Sequence, residues 1–267
     1  MPTARRRKLR AVRPNVGIEN LYRRRMWRII DAMHESVMFW VRQTFKANEP
    51  EVVAIATDES PAATLRKTMR RMSRQWQRNF NRAAPLLADY FATSVDKRSE
   101  AALKKILKDA GMAIEFKMTP AQRDILSATI GAQVGLIKSI PQKYLQDVEG
   151  HVMRAVQKGM DLQELTKALQ TSYGVTRRRA ALIARDQSNK ATASMTRARQ
   201  IDAGLFEAEW VHSGGGKEPR PTHVAAGKRR QRYDVRKGWY DPAVKRHIFP
   251  GEEINCRCVS RSVIPGF

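Results

Sequence analysis

The chain has 267 residues, enough to bury a real core and to hold two modest domains. Its two cysteines argue against a disulfide-built extracellular scaffold and fit a reducing compartment. Fifty Lys and Arg face 26 Asp and Glu, a net charge of +24 and a pI of about 10.7, and no apolar run is long enough to span a membrane.

A field of that strength favours a polyanionic neighbour, and nucleic acid held by its phosphates is the natural one. The excess is clustered at Arg5–Lys8, Arg23–Arg25, Arg70–Arg71, Arg177–Arg179 and Lys228–Arg230. The Arg-rich, acid-poor opening has the composition of an organelle transit peptide, a reading the rest of the chain does not favour, and no apolar segment follows to act as a signal-peptide core.

Residues 1–16 combine Arg5, Arg6, Arg7, Lys8, Arg10 and Arg13 with two prolines. The composition predicts an unstructured basic arm, ordered only by a partner, and these six side chains are the candidate DNA contacts. A helical region should fill 17–110. Its first helix is expected near 18–46, with Ile18, Leu21, Ile29, Met33, Val37, Trp40 and Val41 near helical spacing. Trp27, Phe39 and Trp40 add more bulk than one face needs, which marks them as candidate partner-binding residues, the alternative being ordinary core. Two helices should follow from Ala62 to Lys108, breaking near Pro85 or Ser94, and 111–118 alternates as a short extended segment would. Over 111–203 the pattern is again helical. Thr119-Pro120 starts one helix, Pro141 opens the next, Asp161 to Glu164 resembles a capping box, and Thr176 begins a long helix ending at Gly204. From 204 to 267, glycines, aromatics and Pro-Gly turns replace that periodicity. The fold class is therefore α+β, helical for two-thirds and then a small module of strands and loops.

Both cysteines and three of the five histidines lie in that last segment. In an extended chain Cys256 and Cys258 face the same way and Arg257 the other. A histidine brought to them would make three ligands of a zinc site, and His223 is the first choice because Pro219 and Pro221 stiffen its loop. His212, His247 or Asp241 are candidates for a fourth. The plainer alternative keeps both thiols reduced and half-buried in a strand, with His223 bonded to a backbone carbonyl. No cofactor other than zinc is indicated. Gly214-Gly215-Gly216 lacks the context of a phosphate loop and reads as a turn.

Ala180 to Gln187, Gly204, Trp210, Arg220, His223, Pro250-Gly251 and Asn255-Cys-Arg-Cys258 occur in an order that resembles the phage Mu protein F-like minor head proteins, also called phage head morphogenesis proteins. The resemblance covers roughly 110–267. It implies a low-copy virion protein, made in the host cytoplasm, that joins the portal protein and other head proteins during assembly. It also implies a place inside the head at the portal vertex, with a part in packaging or ejecting double-stranded DNA. Arg185, Asp186, Trp210, Arg220, Asn255 and Arg257 carry over as structural motif positions, and no catalytic role is implied. Two other readings stand beside it: a metal-assisted nuclease centred on His223, Cys256 and Cys258, and a general nucleoid- or RNA-binding protein.

Overall fold

A computed structural model of the chain describes residues 7–46, 61–158, 162–216 and 218–264. The elements, in order, are β1 (Arg7–Lys8), α1 (Val16–Lys46), α2 (Pro61–Asp109), α3 (Pro120–Lys158), α4 (Leu162–Asp202), β2 (Glu207–Val211), α5 (Pro221–Lys228), β3 (Arg232–Asp234), β4 (Trp239–Asp241), β5 (Arg246–Ile248) and β6 (Val259–Ile264). The class is α+β, with strands concentrated at the C-terminus. The chain divides into two compact units, one of residues 1–20, 89–131 and 184–267, the other of residues 21–88 and 132–183.

The helix starts follow their capping chemistry. The Asn15 side chain accepts the Ile18 N–H at 3.1 Å, and Thr119 and Gln122 exchange side-chain-to-backbone bonds at 3.3 and 3.4 Å in a capping box. The expected breaks do not occur. α2 runs through Pro85, α3 through Pro141, and α4 through Gly174. A proline inside a helix leaves the carbonyl four residues back without its donor. Pro85 and Asn81 both lie on an exposed face, where solvent can serve. Near Pro141, whose freed carbonyl is that of Ile137, side chains bond the two carbonyls that follow: Gln77 donates to Lys138 at 3.4 Å, and Arg179 to Ser139 at 3.3 Å. Gly159 and Asp161, expected at a helix end and start, lie outside the described residues.

In the second unit α1 buries Tyr22, Met26, Ile30, Met33, Val37 and Val41, a stripe at helical spacing. This is not quite the expected stripe, because Trp40 is 37% exposed and Ile18, Leu21 and Ile29 are only half-buried, while Tyr22, Met26 and Ile30 take core positions; Phe39, a candidate partner-binding residue, is exposed. Trp27 is half-buried. Arg23 and Arg177 lie over its ring at 4.9 and 4.2 Å, and its indole N–H donates to the Arg177 carbonyl at 3.0 Å.

The first unit holds a four-stranded antiparallel sheet in the order β1-β6-β2-β3 and a two-stranded β4-β5 ribbon. Here the arm expected over 1–16 is corrected from Arg7 onward. Arg7 pairs with Ile264 and Lys8 with Val263, and the Leu9 N–H donates to the Ser262 carbonyl at 3.2 Å. Leu9 and Val12 are buried with Leu103, Leu107, Leu205 and Ile264. Apolar residues at 9 and 12 give the segment something to bury, which a count of its charges overlooks. Arg10 and Arg13 remain exposed, and Arg5 and Arg6 lie outside the described residues. The extended segment expected over 111–118 is present as non-helical chain, and its Met112, Ile114 and Phe116 pack on the same cluster. Arg199, fully buried on α4, is held by Asp96 at 2.7 Å and by Glu100 at 2.9 Å.

His34 in the second unit ties the fold to pH. Its Nδ1 lies 2.7 Å from the Tyr144 hydroxyl, and its ring stacks on Tyr173 with centroids 4.2 Å apart. Burial pulls its pKa below the ordinary value, against a bond with Gln170 and the nearby Asp31 and Glu35 that favour the proton. The unfolded chain therefore binds a proton that the fold resists. Stability present above about pH 6.5 is lost as the pH falls toward the lowered folded value. In thermal melts at about pH 7.5 and about pH 5.5, the wild type should lose more melting temperature on acidification than His34→Gln. Equal losses would remove His34 as the cause.

Candidate functional site

The C-terminal module is built around Trp210. On β2, Ala208 and Trp210 face a core shared with Ala226, Tyr233, Val235, Ile248, Cys256 and Cys258. The indole meets His223 edge-on at 4.9 Å and Trp239 at 5.2 Å. Glu209, on the opposite face, is also buried, and Arg261 on β6 bonds it at 2.7 Å. His223 is brought in by α5, which begins with Pro221 after an extended Arg220. That short helix approaches β2 closely: a Cβ at Gly227 would lie 2.4 Å from the Cβ of His212. No other residue fits there without displacing the strand.

The two cysteines lie on the extended approach to β6. Both are free and buried, whereas Arg257 between them is half-buried and reaches toward Gly215. Cys256 Sγ is 3.5 Å from His223 Nδ1, and Cys258 Sγ is 3.9 Å from the same atom. All three ligand atoms lie within 4.8 Å of one another. The backbone carbonyl that the plainer reading assigned to His223 is replaced at Nδ1 by two sulfurs. On the far side of the ring, Nε2 is 3.4 Å from Asp241 Oδ2, longer than a well-formed hydrogen bond. Asp241 is itself fully buried and accepts from the Thr222 hydroxyl at 3.1 Å and the Ala243 N–H at 2.9 Å. The thiols are unequal. A hydrogen bond from Cys258, supported by His223, holds Cys256 well below the ordinary thiol range against its burial. The Cys256 sulfur and burial push Cys258 up.

Cys256 follows a turn at Asn255 that two distant motif residues, Asp186 and Arg220, fix. Asn255 has φ 60°, a left-handed conformation that Asn tolerates better than most residues. Its N–H donates to Asp186 Oδ1 on α4 at 2.7 Å. Arg220 donates to the carbonyl of Ile254 at 3.1 Å. Asp186 is buried and paired with Lys190 at 2.9 Å. Upstream, Arg197 lies over the Phe249 ring at 3.8 Å. Gly251, with φ 86°, sits so close to α4 that a Cβ would lie 3.0 Å from that of Ala193.

Of the residues singled out in the sequence, Trp210, His223, Cys256 and Cys258 therefore converge, and Asp186, Arg220 and Asn255 frame them. Asp241 stands behind the imidazole instead of beside the sulfurs. His212 accepts the Gly214 N–H at 3.1 Å, and His247 is exposed and meets Tyr240 edge-on. Among the described residues, neither joins the cluster. The contribution of Arg197 escapes a motif reading, and Gly251, though part of the Pro250-Gly251 motif, gives no sign of its partner, since α4 carries no sequence sign of which turn it meets.

An α+β module with a buried thiol–imidazole cluster is thus the class of site. Residues 146–261 match the family described as Phage Mu protein F like protein, a stretch that contains every one of these site residues. A Haemophilus influenzae (strain ATCC 51907 / DSM 11121 / KW20 / Rd) protein, described as uncharacterized, is 26% identical over 266 residues, covering 98% of this chain and 56% of its own length. The chain thus spans little more than half of that relative. No solved structure matches.

Asp186→Ala should cost about 1–3 kcal/mol, since it leaves the Asn255 N–H without its acceptor. Urea unfolding checks this, with Asp186→Asn, which keeps an acceptor, expected to lose less. An unchanged midpoint for Asp186→Ala would mean that the turn does not depend on α4.

Proposed function

We propose that the protein is a minor head protein of a tailed phage, associated with the portal protein inside the head and touching packaged double-stranded DNA through its phosphates. The observation that carries this reading is the match over 146–261 together with the assembly of its motif residues around one turn. The family match points to phage head morphogenesis. The place at the portal vertex, and the part in DNA packaging or ejection, are this proposal's extension of it.

The charge of +24 supports contact with DNA. Such contact would be sequence-independent and would weaken steeply with salt, as counterions released from phosphates dictate. Exposed Arg10 and Arg13 are the described residues best placed for it, with Arg5 and Arg6 preceding them in sequence. Partner docking falls to Phe39 and Trp40. They lie on an exposed part of α1, packed edge-on at 5.4 Å, with Arg71 over Trp40 at 4.5 Å. Trp27 is a poorer candidate, because its ring is already covered by two guanidinium groups. The thiol–imidazole cluster reads as a structural centre. The carboxylate nearest it faces away from the sulfurs, behind the imidazole.

Co-expression with the portal protein of the same phage, followed by co-purification with and without nuclease, tests the reading. Association should survive nuclease and be reduced by Phe39→Ala with Trp40→Ala, with thermal stability of the isolated chain little changed. Association that disappears with the DNA would leave a general nucleic-acid binder. An equal loss of stability in the double variant would make the two aromatics core.

A further inference from the structure

Independently of any role in a phage head, the C-terminal module holds three side chains in the arrangement of a zinc site. A tetrahedral zinc ion, with bonds of about 2.3 Å to sulfur and about 2.0 Å to imidazole nitrogen, separates its ligand atoms by roughly 3.5–3.8 Å. The two sulfur-to-Nδ1 separations are 3.5 and 3.9 Å, one at the sulfur–nitrogen spacing of about 3.5 Å and the other a few tenths of an ångström longer. A ring nitrogen needs one hydrogen-bond partner, and here two sulfurs converge on it.

The second observation lies behind the ring. A histidine that coordinates through one nitrogen commonly presents the other N–H to a carboxylate, which fixes the tautomer and raises the basicity of the ligating atom. Here Nε2 faces Asp241 Oδ2 at 3.4 Å, a buried nitrogen next to a carboxylate but without a formed hydrogen bond. Asp241 is fully buried, and its two oxygens are held by the Thr222 hydroxyl and the Ala243 N–H. Burying a carboxylate is costly unless something positive is near. A dication at the sulfurs, felt through a polarised imidazole, provides it.

We infer that Cys256, Cys258 and His223 bind a zinc(II) ion through both sulfurs and Nδ1, with Asp241 as the positioning carboxylate on Nε2. Three protein ligands leave one position, which a solvent oxygen or a partner's side chain completes. The ion joins α5 to the segment entering β6, two elements separated in sequence by the whole β3–β5 region. Its role is that of a cross-link in a module with few apolar residues.

The test uses the full chain purified under reducing conditions, stripped with a chelator and titrated with cobalt(II) and then zinc(II). The expected result is one equivalent of cobalt with sulfur-to-metal charge-transfer absorption and the visible bands of a tetrahedral ion, both displaced by zinc. Cys256→Ser should abolish the charge-transfer intensity or reduce it sharply. Should that variant fail to fold, Asp241→Asn, which keeps the shape, should bind zinc about 10–100-fold more weakly. A folded wild-type chain that shows no sulfur-to-cobalt absorption overturns the site. Equal zinc affinity in Asp241→Asn overturns the part assigned to the carboxylate.

Discussion

The C-terminal module depends on how the turn at Asn255 is held. One backbone N–H, bonded to the buried carboxylate of Asp186 on α4, fixes where the chain turns beside that helix and enters the approach to β6. From that point the alternation of an extended chain carries Cys256 and Cys258 inward to His223 and sends Arg257 outward. β6 then pairs with β2 on one side and with Arg7–Lys8 on the other. The sheet, the cluster and the ordering of the N-terminal segment all pass through this one strand. Asp186 and Asn255 are far apart in sequence, yet both belong to the stretch that matches the Mu F-like family.

Much of this was legible from the residues alone. Thr119 caps α3, Gly204 follows the end of α4 with φ 69°, and the shift from helical periodicity to turns marks the module. The grouping of His223 with the cysteines followed from same-face alternation and a stiffened loop. Other features depend on tertiary packing that no local pattern encodes. Pro85, Pro141 and Gly174 carry strong local stop signals, but buried residues on both sides of each make it favourable to continue the helix, at the cost of one carbonyl donor at each proline and of backbone entropy at the glycine. Asp241 was visible as a candidate ligand. Its position behind the ring depends on the β4–β5 ribbon, whose strands are too short to announce themselves.

The charge needs a finer reading than its sum allows. Several arginines serve the fold, two of them from the basic clusters: Arg177 covers Trp27, Arg179 bonds the Ser139 carbonyl on α3, and Arg199, outside the clusters, is a buried ion-pair partner. These long side chains work through planar stacking and forked donors, not through a solvated field. The surplus left to meet phosphate is thus smaller than +24 suggests, though still large, and more of it is spread over helix surfaces. A basic composition here reflects two demands at once, an anionic neighbour and helices stitched together by guanidinium groups.

The proposed zinc ion would make the sulfur–imidazole cluster a cross-link of the whole module. Amide hydrogen exchange on the full chain, before and after metal removal under reducing conditions, tests it most directly. If the claim holds, protection in β2, β6 and α5 falls together on stripping and returns with zinc, while the buried face of α1 is unaffected. Exchange that stays the same in β2 and β6 after stripping would contradict it, because the module would then be held by its apolar packing alone.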